Sequence, residues 1–196
     1  MPPAQPTTQD EPDTPDPDEP DSTTASQYEP IRVELICHTD ETDAGLSGWL
    51  DLQVHRAIEL CDLTDAQLNL VIVADDEMAQ LHEQYTGVPG TTDVLTFNMS
   101  DPVQDDSHPA SSQSPACIEA DLILCLDEAR RQAKQRNHQP REELLLYAVH
   151  GLMHLLGEDD HDEEAYERMH AREDDLLQKM GFGPLFDPDR KPDRKP

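Results

Sequence analysis

The chain has 196 residues with 43 acidic and 14 basic side chains, which give a formal net charge of −29, and 35% of its residues are apolar. This length fits one compact domain with tails and excludes two full domains. The acidity argues against a protein that binds nucleic acid through bulk positive charge, because phosphate binding usually rests on a basic surface.

The two ends of the chain differ in composition from its centre. Residues 1–30 contain eight prolines, eight acids and neither Lys nor Arg, which predicts a disordered acidic arm because so little apolar surface cannot offset the entropy of ordering. Residues 184–196 repeat Asp-Arg-Lys-Pro and are predicted to be a loose tail. The predicted domain, 31–183, has 32 acids and 10 basic residues, a net charge of −22, so the tails explain only a small part of the acidity.

Hydrophobic periodicity predicts nine helices and strands in the central segment. Strands are predicted at 31–35, 68–73, 92–97 and 118–126, and helices at 46–58, 75–85, 127–136, 141–156 and 162–180. The segment 98–117 is polar, contains proline and has no periodicity, which predicts an exposed loop. This order of elements predicts an α+β (mixed α/β) fold, a single small domain with a roughly four-stranded sheet packed against helices.

The sequence also bears on the cellular compartment. It has no run of about 18 apolar residues, and the segment after Met1 has neither the basic region nor the apolar stretch of a secretory signal. The four cysteines are far apart and form no Cys-x-x-Cys pair, which favours buried free thiols over disulfides. We therefore expect a cytoplasmic protein.

The strongest chemical signal lies at the end of the fourth predicted helix. His150 and His154 are four residues apart, so their imidazoles lie on one helix face and can bind one metal ion. Gly157 then ends the helix, and His161 can return to the same ion as a third ligand. Three protein ligands with an open fourth position are typical of a catalytic zinc site. We expect one Zn²⁺ per chain, although nickel and copper suit the same ligand type.

The alternative is a pair of surface histidines on an acidic helix. The third histidine and the apolar stripe along the same helix favour the metal site. A zinc peptidase would carry a glutamate directly after the first histidine as general base, whereas this chain has Gly151 there. The sequence therefore favours a metal-dependent hydrolase other than a peptidase, with water activated chiefly by the ion.

The segment 150–161, His-Gly-Leu-Met-His-Leu-Leu-Gly-Glu-Asp-Asp-His, resembles the signature H-G-x-L-H-L-x-G-x-D-H of the YbeY family of metal-dependent endoribonucleases. Residues 85–97 are similar to that family's Y-R-x-x-x-x-P-T-D-V-L-S-F, and 70–81 and 119–124 to further family segments. The resemblance implies a single-strand-specific endoribonuclease in maturation of the 16S ribosomal RNA 3′ end and in ribosome quality control. It also implies ribosomal RNA and the small ribosomal subunit or its proteins as partners, with no membrane and no DNA.

Three positions depart from the family pattern. Asp160 lies where the family has its third histidine, ten positions after the first, and His161 lies one residue further on. We prefer His161 as the third ligand, because three imidazoles match the family and a turn can absorb one extra residue; Asp160 is the alternative. Thr86 replaces an arginine that would bind phosphate or stabilise developing charge. Thr91 replaces a proline, which we expect to cost only loop rigidity.

Five of the ten basic residues in the predicted domain lie within twelve positions, 130–141, immediately before the metal-binding helix. Arg130, Arg131 and Lys134 are therefore candidates for an RNA-binding patch. The alternative is a solvated helix face whose charge complements the helix dipole.

The predicted metal ligands and catalytic residues are thus His150, His154 and His161. The leading expectation is the endoribonuclease. The alternative is a metal-stabilised factor that binds or assembles ribosomes with little nuclease activity, which Thr86 and the acidic domain favour.

Overall fold

The computed structural model describes residues 31–39, 45–100 and 117–183. Within these residues the elements follow in the order β1 (Arg32–Cys37), α1 (Leu46–Leu60), β2 (Ala66–Val73), α2 (Asp75–Thr86), β3 (Val94–Asn98), β4 (Ile118–Cys125), α3 (Leu126–Arg136), α4 (Pro140–Leu155) and α5 (Glu163–Lys179). The predicted α+β fold and the order of its elements are confirmed.

One four-stranded sheet, in the order β1-β2-β4-β3, organises the domain. β1, β2 and β4 are parallel to one another, and β3 is antiparallel to β4. Parallel neighbours cannot be joined by a tight hairpin, so each needs a crossover. α1 provides the crossover from β1 to β2, whereas α2 and β3 together lie between β2 and β4 in the chain.

The two faces of the sheet carry different apolar clusters, because side chains alternate along each strand. On one face, residues such as Leu70 and Leu122 pack into the main core with α1, α4 and α5. On the other face, Val73 and Cys125 form a smaller cluster with Met78 of α2. The larger core therefore lies on the side of the sheet where α4 packs.

α4 is the most deeply embedded helix, with eleven of its 16 residues buried. It begins with Pro140 in its first turn and a capping box between Gln139 and Glu142, both of which favour helix initiation at this point. Gly151 marks its closest approach to the sheet, since a Cβ there would lie 2.8 Å from Leu122 Cδ2 and 2.9 Å from a side-chain oxygen of β3. The position of α4 is thus fixed by packing on the sheet.

Boundaries differ from the prediction by a few residues for local reasons. β1 runs two residues beyond its predicted end, because Cys37 still pairs with Ile72 of β2. β3 begins at Val94 rather than Thr92, and before it the Thr92 hydroxyl donates to Asp93 Oδ1 over 3.0 Å. Neither difference moves a residue of the candidate site.

Three sequence predictions lie outside the described residues: the arm 1–30, the tail 184–196 and nearly all of the loop 98–117. Within the described part of the chain, no helix combines the length and apolarity needed to span a membrane. All four cysteines are free thiols, as predicted. The expectation that they are buried holds for Cys125 and is wrong for Cys117, which is exposed directly before β4, whereas Cys37 and Cys61 are half-buried.

Candidate metal centre

His150 and His154 lie one turn apart in α4 and face each other through their Nε2 atoms, which are 3.2 Å apart. Helical geometry brings them together, because residues four apart share one face. Their rings meet edge to face, with centroids 4.6 Å apart. The structure therefore pairs the two histidines as the sequence spacing predicts.

The other nitrogen of each ring already has a hydrogen-bond acceptor. His150 Nδ1 donates to Oε1 of Glu173 over 2.7 Å, and His154 Nδ1 donates to the backbone carbonyl of Glu158 over 3.2 Å. A carbonyl or an ionised carboxylate can only accept, so both rings carry a proton on Nδ1. In the neutral rings both Nε2 atoms are then unprotonated acceptors, and a cation or a proton between them would remove the repulsion of the two lone pairs.

The spacing of the two Nε2 atoms suits a metal ion. Zinc binds imidazole nitrogen at about 2.0–2.1 Å in tetrahedral geometry, which puts two nitrogen ligands about 3.3 Å apart. The observed separation is 3.2 Å. The pair therefore fits one zinc ion with little rearrangement of either ring.

Charged neighbours change the pKa values of this cluster in opposite directions. Burial lowers the pKa of His150, but the hydrogen bond and negative charge of Glu173 outweigh burial and raise it above its ordinary value. For His154, burial and the charge of His150 together lower the pKa. Burial raises the pKa of Glu173, but hydrogen bonds from His150 and His170 outweigh it and lower the pKa. Glu173 is thus an ionised carboxylate inside the core.

Asp160, rather than His161, is the third group that the structure brings to the pair. One nitrogen from each histidine and one carboxylate oxygen of Asp160 all lie within 4.8 Å of one another. The side chain of His161 is 85% exposed and contacts the carboxylate of Asp159. Two histidines and one carboxylate are a ligand set found in catalytic zinc sites. His161 as third ligand stays a prediction.

The turn after α4 explains this placement. Gly157 has a φ of +86°, a left-handed backbone conformation that residues other than glycine rarely adopt. The amide of the next residue, Glu158, donates to the Met153 carbonyl over 3.0 Å. Asp162 caps α5 by accepting from the Ala165 amide over 2.8 Å. Between these two fixed points, the tenth residue after His150 faces the pair.

Gly151 leaves no room for the general base of a zinc peptidase. A side chain there would meet Leu122 and Thr96 at less than 3.0 Å, because this face of α4 packs against the sheet. The position after the first histidine therefore faces the core, in agreement with the sequence argument against a peptidase.

Thr86, which replaces the family arginine, ends α2 without a charged group. Its hydroxyl donates to the His82 carbonyl over 2.6 Å and accepts from the Val88 amide over 3.2 Å. The side chain thus closes its own turn, where an arginine would supply a cation.

The predicted basic patch on α3 is largely paired with acids. Arg131 Nη2 lies 2.8 Å from Asp75 Oδ1, and its Nε donates to Glu128 over 2.8 Å. Arg130 Nη1 lies 3.2 Å from Asp127 Oδ1. Lys134 is exposed. RNA binding by Arg130, Arg131 and Lys134 stays a prediction.

Sequence reasoning missed Glu173 and His170, which lie on α5 beside His150. His170 Nδ1 donates to Oε2 of Glu173 over 2.6 Å, and its ring stacks on that of His150 with centroids 5.9 Å apart. A signal was present in the sequence, since Glu173 interrupts the buried stripe of α5 formed by Ala165, Met169 and Leu176. A charged residue within an apolar stripe indicates a buried partner.

Comparison with known proteins identifies the family of this chain. The family described as "Endoribonuclease YbeY" matches residues 37–181. A protein of that name from Acidothermus cellulolyticus is 40% identical over 114 residues, covering 57% of this chain and 69% of the relative. One from Frankia alni is 43% identical over 108 residues, covering 53% of this chain and 56% of the relative. One from Bacillus subtilis is 32% identical over 117 residues, covering 60% of this chain and 74% of the relative.

A solution structure of a Thermotoga maritima protein also matches. It is 21% identical with a TM-score of 0.48, and the match covers 81% of this chain and 99% of that one. The family match spans α1 to α5 and includes every residue of the histidine pair and its turn. The chain therefore belongs to the Endoribonuclease YbeY family.

Proposed function

We propose that this protein is a metal-dependent endoribonuclease that cleaves single-stranded RNA. Within that class we assign it to maturation of the 16S ribosomal RNA 3′ end and to ribosome quality control, in the cytoplasm. Its partners are then ribosomal RNA and the small ribosomal subunit or its proteins. Family membership supports the reaction class, since the relatives carry the name Endoribonuclease YbeY.

The observation that carries the proposal is the pair of Nε2 atoms 3.2 Å apart with both Nδ1 atoms already donating. His150 and His154 would hold one zinc ion, with Asp160 as third ligand in the conformation described. The side chain of His150 is 20% exposed and that of Asp160 35% exposed, so the cluster is open to solvent on one side. A buried structural zinc site would instead be closed by four protein ligands.

The protein's own residues define what an RNA strand meets there. The carboxylates of Asp160 and Asp159 place negative charge beside the pair, which repels a phosphate in the absence of a cation. A divalent ion held by His150, His154 and Asp160 would supply a Lewis acid for a phosphoryl oxygen and would lower the pKa of a nearby water. RNA engagement at this site therefore depends on the ion more strongly than in a basic nuclease.

The acidity of the whole domain also favours docking through a protein. With 32 acids against 10 basic residues in 31–183, free RNA is attracted weakly. A basic ribosomal protein would be attracted by the same charge. We therefore expect cleavage of ribosomal particles to exceed cleavage of the same RNA free in solution.

The decisive experiment compares cleavage of single-stranded ribosomal RNA by four samples: zinc-loaded wild type, metal-stripped wild type, His154→Ala and the control His55→Ala. His55 lies on α1 and bonds within its own helix, so this control removes an imidazole outside the proposed site. We expect cleavage by zinc-loaded wild type and His55→Ala and none by the other two. Equal cleavage by all four would refute the proposal. Absence of cleavage by loaded wild type, with retained binding to ribosomal particles, would favour the assembly factor.

The third ligand is settled by metal content. Asp160→Ala should lower the zinc bound per chain, and His161→Ala should retain it. The reverse result would assign the site to His161.

A further inference from the structure

Glu173 is a fully buried carboxylate that uses both oxygens to hold imidazoles. Its relative exposure is 0%, with Oε1 2.7 Å from His150 Nδ1 and Oε2 2.6 Å from His170 Nδ1. A buried charge is costly unless it is paired and hydrogen-bonded. Packing alone would favour an apolar residue at this point of the α5 stripe. The presence of a carboxylate there therefore needs a chemical reason.

The contact with His150 controls which nitrogen is free. A ring that donates from Nδ1 to a carboxylate keeps its proton there and presents an unprotonated Nε2 to an ion. His154 obtains the same result from the backbone carbonyl of Glu158, which no side-chain substitution removes. Of the two acceptors that hold the histidine rings, the Glu173 carboxylate is therefore the one that a substitution can remove.

His170 fixes the direction of the carboxylate. It donates a hydrogen bond to the second oxygen and stacks on His150 with an interplanar angle of 13°. Its ring also meets that of Tyr166 edge to face, with centroids 4.1 Å apart. With both oxygens occupied, rotation of the carboxylate away from His150 would break both hydrogen bonds. α5 thus carries a rigid acceptor for a ring on α4.

We infer that Glu173 is the positioning residue of the metal centre, holding His150 in the tautomer and orientation that present Nε2 to the ion. The inference rests on the metal centre of the proposed function. Its test uses zinc without RNA, so a protein that binds zinc through this arrangement but cleaves no RNA would refute the proposed function alone.

The test is the zinc dissociation constant of the full chain, measured by chelator competition, for wild type, Glu173→Gln and the control Glu167→Gln. Glutamine keeps the size of the side chain but has one acceptor oxygen, so an N–H group must face one of the two imidazoles. We expect Glu173→Gln to weaken zinc binding about 10–100-fold. Glu167 is exposed on the same helix. Its substitution should leave the zinc dissociation constant within about threefold of wild type, a smaller change than the one expected for Glu173→Gln.

A further readout, the nuclear magnetic resonance signal of one histidine proton, separates positioning from a structural role. In zinc-loaded wild type labelled with ¹⁵N-histidine, the Nδ1 proton of His150 should give a signal protected from exchange, and Glu173→Gln should shift or remove it. If the variant does not fold, this wild-type signal decides, and a freely exchanging Nδ1 proton would overturn the inference.

Two other outcomes would also overturn it. A Glu173→Gln protein that is less stable without metal but binds zinc as tightly as wild type has lost packing only. A wild type that binds two ions, with loss of one in Glu173→Gln, would make Glu173 a ligand of a second ion together with His150 and His170.

Discussion

Gly151→Ala tests whether α4 lies as close to the sheet as described. The added Cβ would lie 2.8 Å from Leu122 Cδ2 and 2.9 Å from Thr96 Oγ1. Leu122 is fully buried, so its methyl group cannot move without disturbing the core. Overpacking of this kind costs about 1–3 kcal/mol.

Alanine also favours a helix over glycine by up to about 1 kcal/mol, which partly offsets the clash. Gly48→Ala is the matched control, because Gly48 is a helical glycine of α1 with no atom within 4 Å of an added Cβ. The two variants share the change in propensity and differ in packing. We therefore expect Gly151→Ala to be about 1–3 kcal/mol less stable than Gly48→Ala.

The assay is urea unfolding of the metal-stripped proteins followed by circular dichroism, since bound metal would add its own stabilisation. The comparison requires equal denaturant slopes, which show that only stability has changed. Free energies of unfolding within about 0.5 kcal/mol of each other would refute the close approach of α4 to the sheet.

Three further predictions follow from pairing and linkage. Arg136→Ala should destabilise the protein by about 1–3 kcal/mol, because the buried carboxylate of Glu143 loses its guanidinium 3.2 Å away and keeps His138 Nε2 at 2.8 Å; Lys134→Ala should change the free energy of unfolding by less than about 0.5 kcal/mol, and equal effects would contradict this. Zinc at 100 times its dissociation constant should stabilise wild type by about 2.7 kcal/mol, or about 5–10 °C in Tm, and a shift that survives removal of the histidine pair would contradict the site. The hydrogen bond from Arg131 lowers the pKa of Asp75 to about 2, so its stabilisation is present above its ordinary pKa of about 4 and lost as pH falls from there toward 2. The stability difference between wild type and Asp75→Asn should shrink over that window, and a constant difference would refute the pairing.

The elements that sequence could predict are those fixed by local periodicity. The apolar, β-branched run of β2 and the helical spacing of α4 are each visible within one stretch of sequence, so the order of elements could be predicted from the pattern. The pairing of His150 with His154 needed only the helical repeat. These features depend on residues within one element.

Features that depend on contacts between elements were not accessible in the same way. Glu173 reaches His150 across 23 residues, and Arg131 reaches Asp75 across 56. The direction of Asp160 and His161 depends on the left-handed Gly157 and on hydrogen bonds in the turn. Hydrophobic periodicity does not predict contacts between elements. The one indication in the sequence was the interrupted apolar stripe of α5, which pointed to a buried partner for Glu173.

The central claim is a zinc centre built on the paired Nε2 atoms of α4, and X-ray absorption at the zinc edge of the loaded full chain tests it most directly. We predict two imidazole nitrogens at about 2.0–2.1 Å with oxygen completing the shell, and loss of this spectrum in His154→Ala. Thiolate sulfur at about 2.3 Å, or a spectrum unchanged in His154→Ala, would contradict the claim.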